Sequence, residues 1–133
     1  MKSTVLLIDD SKFLRRANEM ALARSGYAVL GAADGEEGLQ LACSRVPDLI
    51  VLDMMLPKIS GPQLLQLLKK DPRTAQIPVI VLTSLSQKNE ERLLGEGAAA
   101  YFEKSGLGLE NGSSRLVEAV ASVLQTARAA ARA

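Results

Sequence analysis

Histidine and tryptophan are absent from this sequence, cysteine occurs once, and aromatics are limited to two Tyr and two Phe. Each shortage excludes something. Without histidine there is no Ser-His or Cys-His catalysis, no zinc–imidazole site and no phosphohistidine carried on this chain. The lone Cys43 can form neither an internal disulfide nor a cysteine-based zinc site, and it fits a reducing compartment. With Leu39, Leu41 and Ala42 beside it, it reads as a packed helix residue. So few aromatics offer little surface for base stacking. Lys and Arg total 16 against 15 Asp and Glu, a net charge of +1, so nothing electrostatic favours nucleic acid or another polyanion. Long apolar runs are missing too: Val5-Leu6-Leu7-Ile8 stops at Asp9, far too short for a signal peptide or a membrane span. The expectation is a cytoplasmic protein without membrane or direct nucleic-acid contact.

What is present suits one domain, residues 1–133, with one core: the chain has 133 residues and 47% are apolar. Five short apolar runs stand out: Val5–Ile8, Ala28–Ala32, Leu49–Leu52, Val79–Leu82 and Ala99–Phe102. They are nearly continuous rather than alternating, which indicates strands buried on both faces of a parallel sheet. The second is the weakest.

Helical patterns separate the runs. Phe13, Arg16, Ala17, Met20, Ala21 and Arg24 lie at helical spacing, with Ser11 as a cap and Gly26 as a stop. Asp34 can cap a second helix through Leu39, Leu41 and Ala42, closed before Pro47. Ser60-Gly61-Pro62 opens a third with Leu64, Leu65, Leu67 and Leu68, ending before Asp71-Pro72. A fourth, about Lys88 to Glu96, is weakened by Gly95, which costs about 1 kcal/mol relative to Ala. The fifth runs from about Ser113 to the C-terminus with Leu116, Val117, Val120, Val123 and Leu124 as its stripe, and the Ala- and Arg-rich tail Ala127–Ala133 continues it. Strict β–α alternation implies right-handed crossovers and a doubly wound five-stranded parallel α/β sheet flanked by five helices.

In such a sheet, ligands bind beyond the carboxyl ends of the strands. Those ends carry Asp9 and Asp10, Asp53, Thr83 and Ser84, and Lys104. Singly, each has a plainer use: Asp9-Asp10 could cap the first helix, Asp53 and Thr83 could form turns, and Lys104 could be a solvated charge. Together they form one chemistry. Three carboxylates in one pocket repel and call for a cation, and oxygen donors without His or Cys favour Mg²⁺. A carboxylate can attack phosphorus to give an acyl phosphate, while a lysine and a hydroxyl meet the charge on the transferred group. Asp53, Lys104 and Thr83 suit those roles.

Val5-Leu6-Leu7-Ile8-Asp9-Asp10-Ser11, the stretch Pro47 to Pro57 around Asp53, Ile77 to Ser84, and Gly97 to Lys104 together resemble the receiver domain of two-component response regulators, of the stand-alone chemotaxis-regulator-like type. The resemblance covers nearly the whole chain. It implies a flavodoxin-like fold with strand order 2-1-3-4-5, and a phosphorylation-activated signalling switch rather than a turnover enzyme. It implies that a histidine kinase or phosphotransfer protein phosphorylates Asp53. Asp10, Asp53 and the Met55 carbonyl would hold Mg²⁺ directly, with Asp9 acting through water. Thr83 and Lys104 would contact the phosphoryl oxygens, and Tyr101 would change rotamer when Thr83 moves. The fourth helix, fifth strand and fifth helix would face a downstream partner protein, and two copies could pair there.

Two departures stand out. Ser105 follows Lys104 where the family usually has a proline, and Ser105 to Gly112 is longer and richer in glycine than the usual connection. Other functions fit less well. A phosphatase working through an aspartyl phosphate usually has a second acid two residues after the nucleophile, where Met55 stands. A flavin protein would need a Ser/Thr/Gly-rich phosphate loop where Asp9-Asp10-Ser11-Lys12 lies. A non-phosphorylated interaction module is opposed by the intact set Asp10, Asp53, Thr83 and Lys104, while the missing proline after Lys104 leaves it open. No output domain follows, so the expected switch acts on a partner or passes its phosphoryl group on; an excised receiver module would read the same way.

Overall fold

The computed structural model describes residues 2–54, 56–83, 97–103 and 112–132. Its elements run β1 (Thr4–Ile8), α1 (Lys12–Arg24), β2 (Ala28–Ala32), α2 (Gly35–Arg45), β3 (Leu49–Asp53), α3 (Gly61–Lys70), β4 (Val79–Thr83), β5 (Ala100–Glu103) and α4 (Gly112–Arg132). The last is the fifth helix of the sequence expectation, because the predicted helix over Lys88–Glu96 lies outside the described residues. The strands pair in parallel in the order β2-β1-β3-β4-β5.

Strand periodicity explains the two-sided core. Leu6, Ile8, Ile50, Leu52, Val79 and Val81 share one cluster with Ala42 of α2 and Leu64, Leu65 and Leu68 of α3. Val5, Leu7, Leu49, Val51, Ile80 and Leu82 share the other with Leu22 of α1 and Leu116, Val120 and Leu124 of α4. Alternate side chains of one strand therefore feed opposite faces. Edge strand β2, the weakest apolar run, is only partly buried. Cys43 is half-buried in α2, its Sγ 3.6 Å from Asp71 Oδ2, and desolvation pushes its thiol pKa up.

Helix starts follow the expected chemistry. Ser11 Oγ accepts from Leu14 N at 3.4 Å and Asp34 Oδ1 from Glu37 N at 2.8 Å. Ser60 and Gln63 form a reciprocal capping box. Helix α2 ends on Val46 at φ 41°, a left-handed conformation that strains a β-branched residue.

The face of α1 differs from the sequence pattern. Phe13 and Met20 are 66% and 53% exposed, whereas Asn18 and Leu22 are buried. Helical spacing specifies parallel stripes but not which one meets the sheet. Here Leu22 joins the cluster made with α4, and Phe13 and Met20 are left outside. We therefore expect Leu22→Ala to cost about 2–5 kcal/mol of stability and Met20→Ala no more than about 0.5 kcal/mol, by urea unfolding. A larger loss for Met20→Ala would reverse this assignment of faces.

Candidate phosphoacceptor site

The site forms where β1 and β3 end side by side. Ile8 and Leu52 are register partners, so Asp9 and Asp53 are the next residues of adjacent strands. Asp9 N donates to Ala32 O at 3.0 Å, extending the β1–β2 ladder by one residue. Asp9 Oδ1 accepts from Ser11 N at 3.0 Å, and its carbonyl accepts from Arg15 Nη1 at 2.7 Å. The helix cap is thus Ser11, and the two acids before it are left for the pocket. Asp9 and Asp53 are fully buried, while Asp10 is exposed.

Carboxylate oxygens of Asp9, Asp10 and Asp53 all lie within 4.8 Å of one another. Unit charges at about 4 Å repel by about 1 kcal/mol in water and about 4 kcal/mol at an effective dielectric near 20, and two of these three have lost their water. A hard divalent cation is the direct remedy. Mg²⁺ takes oxygen ligands at about 2.0–2.1 Å, so ligands on opposite sides of it stand about 4.2 Å apart. The three carboxylates fit such an ion with little movement, or with water between the ion and one of them.

The loop after β3 is anchored from both sides. Met54 N donates to Leu82 O at 2.9 Å, and Gly61 N donates to Met54 O at 3.1 Å. A Cβ on Gly61 would stand 2.8 Å from Met54 O and 2.9 Å from Asp53 O, so only glycine lets α3 start against this backbone. Lys58, at φ 69°, reaches Asp34 at 3.5 Å and Glu36 at 3.6 Å across the start of α2. The Glu37 backbone N–H chiefly holds the Asp34 carboxyl below its ordinary range, against desolvation that raises it, with Lys58 adding to the lowering; Asp34 in turn chiefly raises Lys58.

Thr83 closes β4 one residue past Leu82, the register partner of Asp53, and Tyr101 pairs with Val81. The side chains of Thr83 and Tyr101, and all of Met55, Ser84, Lys104 and Ser105 to Asn111, lie outside the described residues. Asp9, Asp10 and Asp53 are therefore the sequence-predicted site residues whose side chains are seen together. Gly61 and Arg15 were not singled out as site residues. For Gly61 the available signal was a glycine at a first helical position, where propensity alone would not place one.

A doubly wound α/β sheet with a carboxylate cluster at its carboxyl edge defines the class. Residues 5–120 match the response regulator receiver domain family, and the chain belongs to it. Phosphoaspartate and Mg²⁺ are general features of this family, whose members are signalling switches. The chain is 44% identical over 108 residues to a gliding motility regulatory protein of Myxococcus xanthus, covering 80% of this chain and 14% of that one. It is 34% identical over 105 residues to the polar-differentiation response regulator DivK of Brucella anthropi, covering 78% and 85%. A CheY-like receiver domain structure from Methanospirillum hungatei superposes with a TM-score of 0.84 at 26% identity, covering 96% of this chain and 98% of that one. The chain thus spans a small part of the first relative and most of the second.

Gly61→Ala should destabilise the fold by about 1–3 kcal/mol, because the obstacle is backbone rather than a movable side chain. Amide shifts at Asp53 and Met54 should move with it. A loss below about 0.5 kcal/mol with unchanged shifts would show that α3 yields instead.

Proposed function

We propose that this chain is a single receiver domain, residues 1–133, which takes a phosphoryl group from a histidine kinase or phosphotransfer protein onto Asp53 in a Mg²⁺-dependent reaction. The observation that carries this is the gathering of Asp9, Asp10 and Asp53 at the carboxyl ends of β1 and β3. An Asp53 carboxylate oxygen bonds to phosphorus as the bond from phosphorus to the donor's imidazole nitrogen breaks; the donor ring, protonated on its other nitrogen, keeps that proton and leaves as neutral histidine, and Asp53 becomes an acyl phosphate. Asp10, Asp53 and the Met55 carbonyl would hold Mg²⁺, with Asp9 acting through water; the ion supplies positive charge to the phosphoryl oxygens when bound. Lys104 and the Thr83 hydroxyl meet the remaining charge.

In this proposal Thr83 also couples the site to the output. It moves toward the phosphoryl group, and Tyr101 turns into the space released. A charge-assisted hydrogen bond of about 1.5–3 kcal/mol can shift such an equilibrium by roughly ten- to a hundredfold. The segment Lys88–Glu96, β5 and α4 then present the altered face to a partner protein or to a second copy. Among the described residues no helix is long and apolar enough to cross a membrane. With a net charge of +1, the proposed output is on a protein rather than on nucleic acid.

Acetyl phosphate with Mg²⁺ should add one phosphoryl group, a mass gain of roughly 80 Da, to the parent and none to Asp53→Asn, which lacks the nucleophile. Equal labelling of Asp53→Asn would remove Asp53 from its role. Thr83→Ala should still accept phosphate. Under a beryllofluoride mimic it should lose most of the amide shift changes around Lys88–Glu96 and Tyr101. Shift changes equal to the parent's would break the proposed coupling.

A further inference from the structure

Arg15 has no part in the chemistry above, yet it is bound into the site's backbone. Its guanidinium donates from Nη1 to the Asp9 carbonyl at 2.7 Å, while Nε faces Glu19 Oε1 at 3.5 Å; the Arg15 side chain is only 17% exposed. Helix geometry places Glu19 one turn beyond Arg15, so the carboxylate holds the guanidinium from behind. Gly31 of β2 makes room for this pair. A Cβ there would collide with Glu19 Oε1, approach Glu19 Cδ to 3.2 Å and touch Arg15 Cδ at 3.6 Å.

The bonded chain runs from the edge strand to the acidic turn: Gly31 admits Glu19, Glu19 orients Arg15, and Arg15 fixes the Asp9 carbonyl. The same peptide region sets the two acids. Asp9 N is tied to Ala32 O and Asp9 Oδ1 to Ser11 N, and Arg15 N returns to Ser11 O at 2.8 Å. Asp10 stands in the middle of this turn. A guanidinium suits the task because its planar fork can serve two acceptors in fixed directions, which an ammonium cannot.

We propose that Arg15 is a positioning residue of the acidic site, held by Glu19 and Gly31, which sets Mg²⁺ affinity by fixing the backbone of the Asp9–Asp10–Ser11 turn. This rests on the Mg²⁺-binding role proposed above. Two effects of Arg15 oppose each other. Its bond to the carbonyl preorganises the turn and favours the ion; its charge near the carboxylates disfavours it. The short, partly buried bond makes the first the larger.

The test is calorimetric Mg²⁺ titration of the full chain without phosphodonor, with amide exchange of the metal-free protein as a second readout. Arg15→Gln should weaken Mg²⁺ binding about fivefold or more, and Arg15→Lys should weaken it less but in the same direction. Gly31→Ala displaces only the flexible end of Glu19, so it should fold normally and still weaken binding about twofold. In all three the Asp10 and Ser11 amides should exchange faster than in the parent. Tighter binding in Arg15→Gln with parental affinity in Arg15→Lys would make Arg15 a competing charge and overturn the proposal. Parental affinity and exchange in every variant would overturn it too. A parent that binds no Mg²⁺ would overturn the Mg²⁺-binding role, while unchanged exchange in the variants would by itself refute the positioning of the turn.

Discussion

Everything in this molecule that bears on function is arranged around the repulsion between Asp9, Asp10 and Asp53. Three carboxylates whose oxygens lie within 4.8 Å of one another, two of them fully buried, do not gather spontaneously. Something must hold them there. The sheet does so: β1 and β3 are register partners at Ile8 and Leu52, and strand residues Val5–Ile8 and Leu49–Leu52 are fully buried. Moving either acid away would shift a packed strand out of two apolar clusters at once, and close-packed interiors resist that. The packing of the sheet therefore holds the three acids together, in a geometry receptive to a cation.

The surroundings of the site spend side chains on geometry more than on charge. Arg15 bonds to a carbonyl, Ser11 caps α1, and Gly61 gives up its side chain so that α3 can start against the Asp53–Met54 backbone. Lys58 adopts a left-handed backbone and spans to Asp34 and Glu36 at the start of α2. Exposed pairs of this kind contribute little to stability, about 0–1 kcal/mol. Their use here is to tie the loop after β3 to a neighbouring helix. The loop that follows the proposed phosphoacceptor Asp53 is thus tied to α2 through Lys58 and to α3 through Gly61.

Helix α1 joins two duties. Its buried side, through Leu22, closes the core with α4, and its outer side leaves Phe13 and Met20 exposed. Their neighbours Lys12, Arg16 and Arg24 are exposed and basic.

The sequence by itself determined the alternation of strands and helices, the end of each strand to within a residue, the capping residues Ser11, Asp34 and Ser60, and the acids Asp9, Asp10 and Asp53. These were legible because they are local: a buried strand must be continuously apolar, a cap must offer a side-chain oxygen, and chemistry collects where strands stop. Only the tertiary structure decided which stripe of α1 faces inward, because Leu22 and Met20 are equally apolar and only the position of α4 distinguishes them. It alone gave Gly61, Gly31 and Arg15 their places, because a missing Cβ or a bond to a distant carbonyl depends on which backbone passes nearby. Periodicity is written along one chain, whereas close approach is a property of two segments far apart in it.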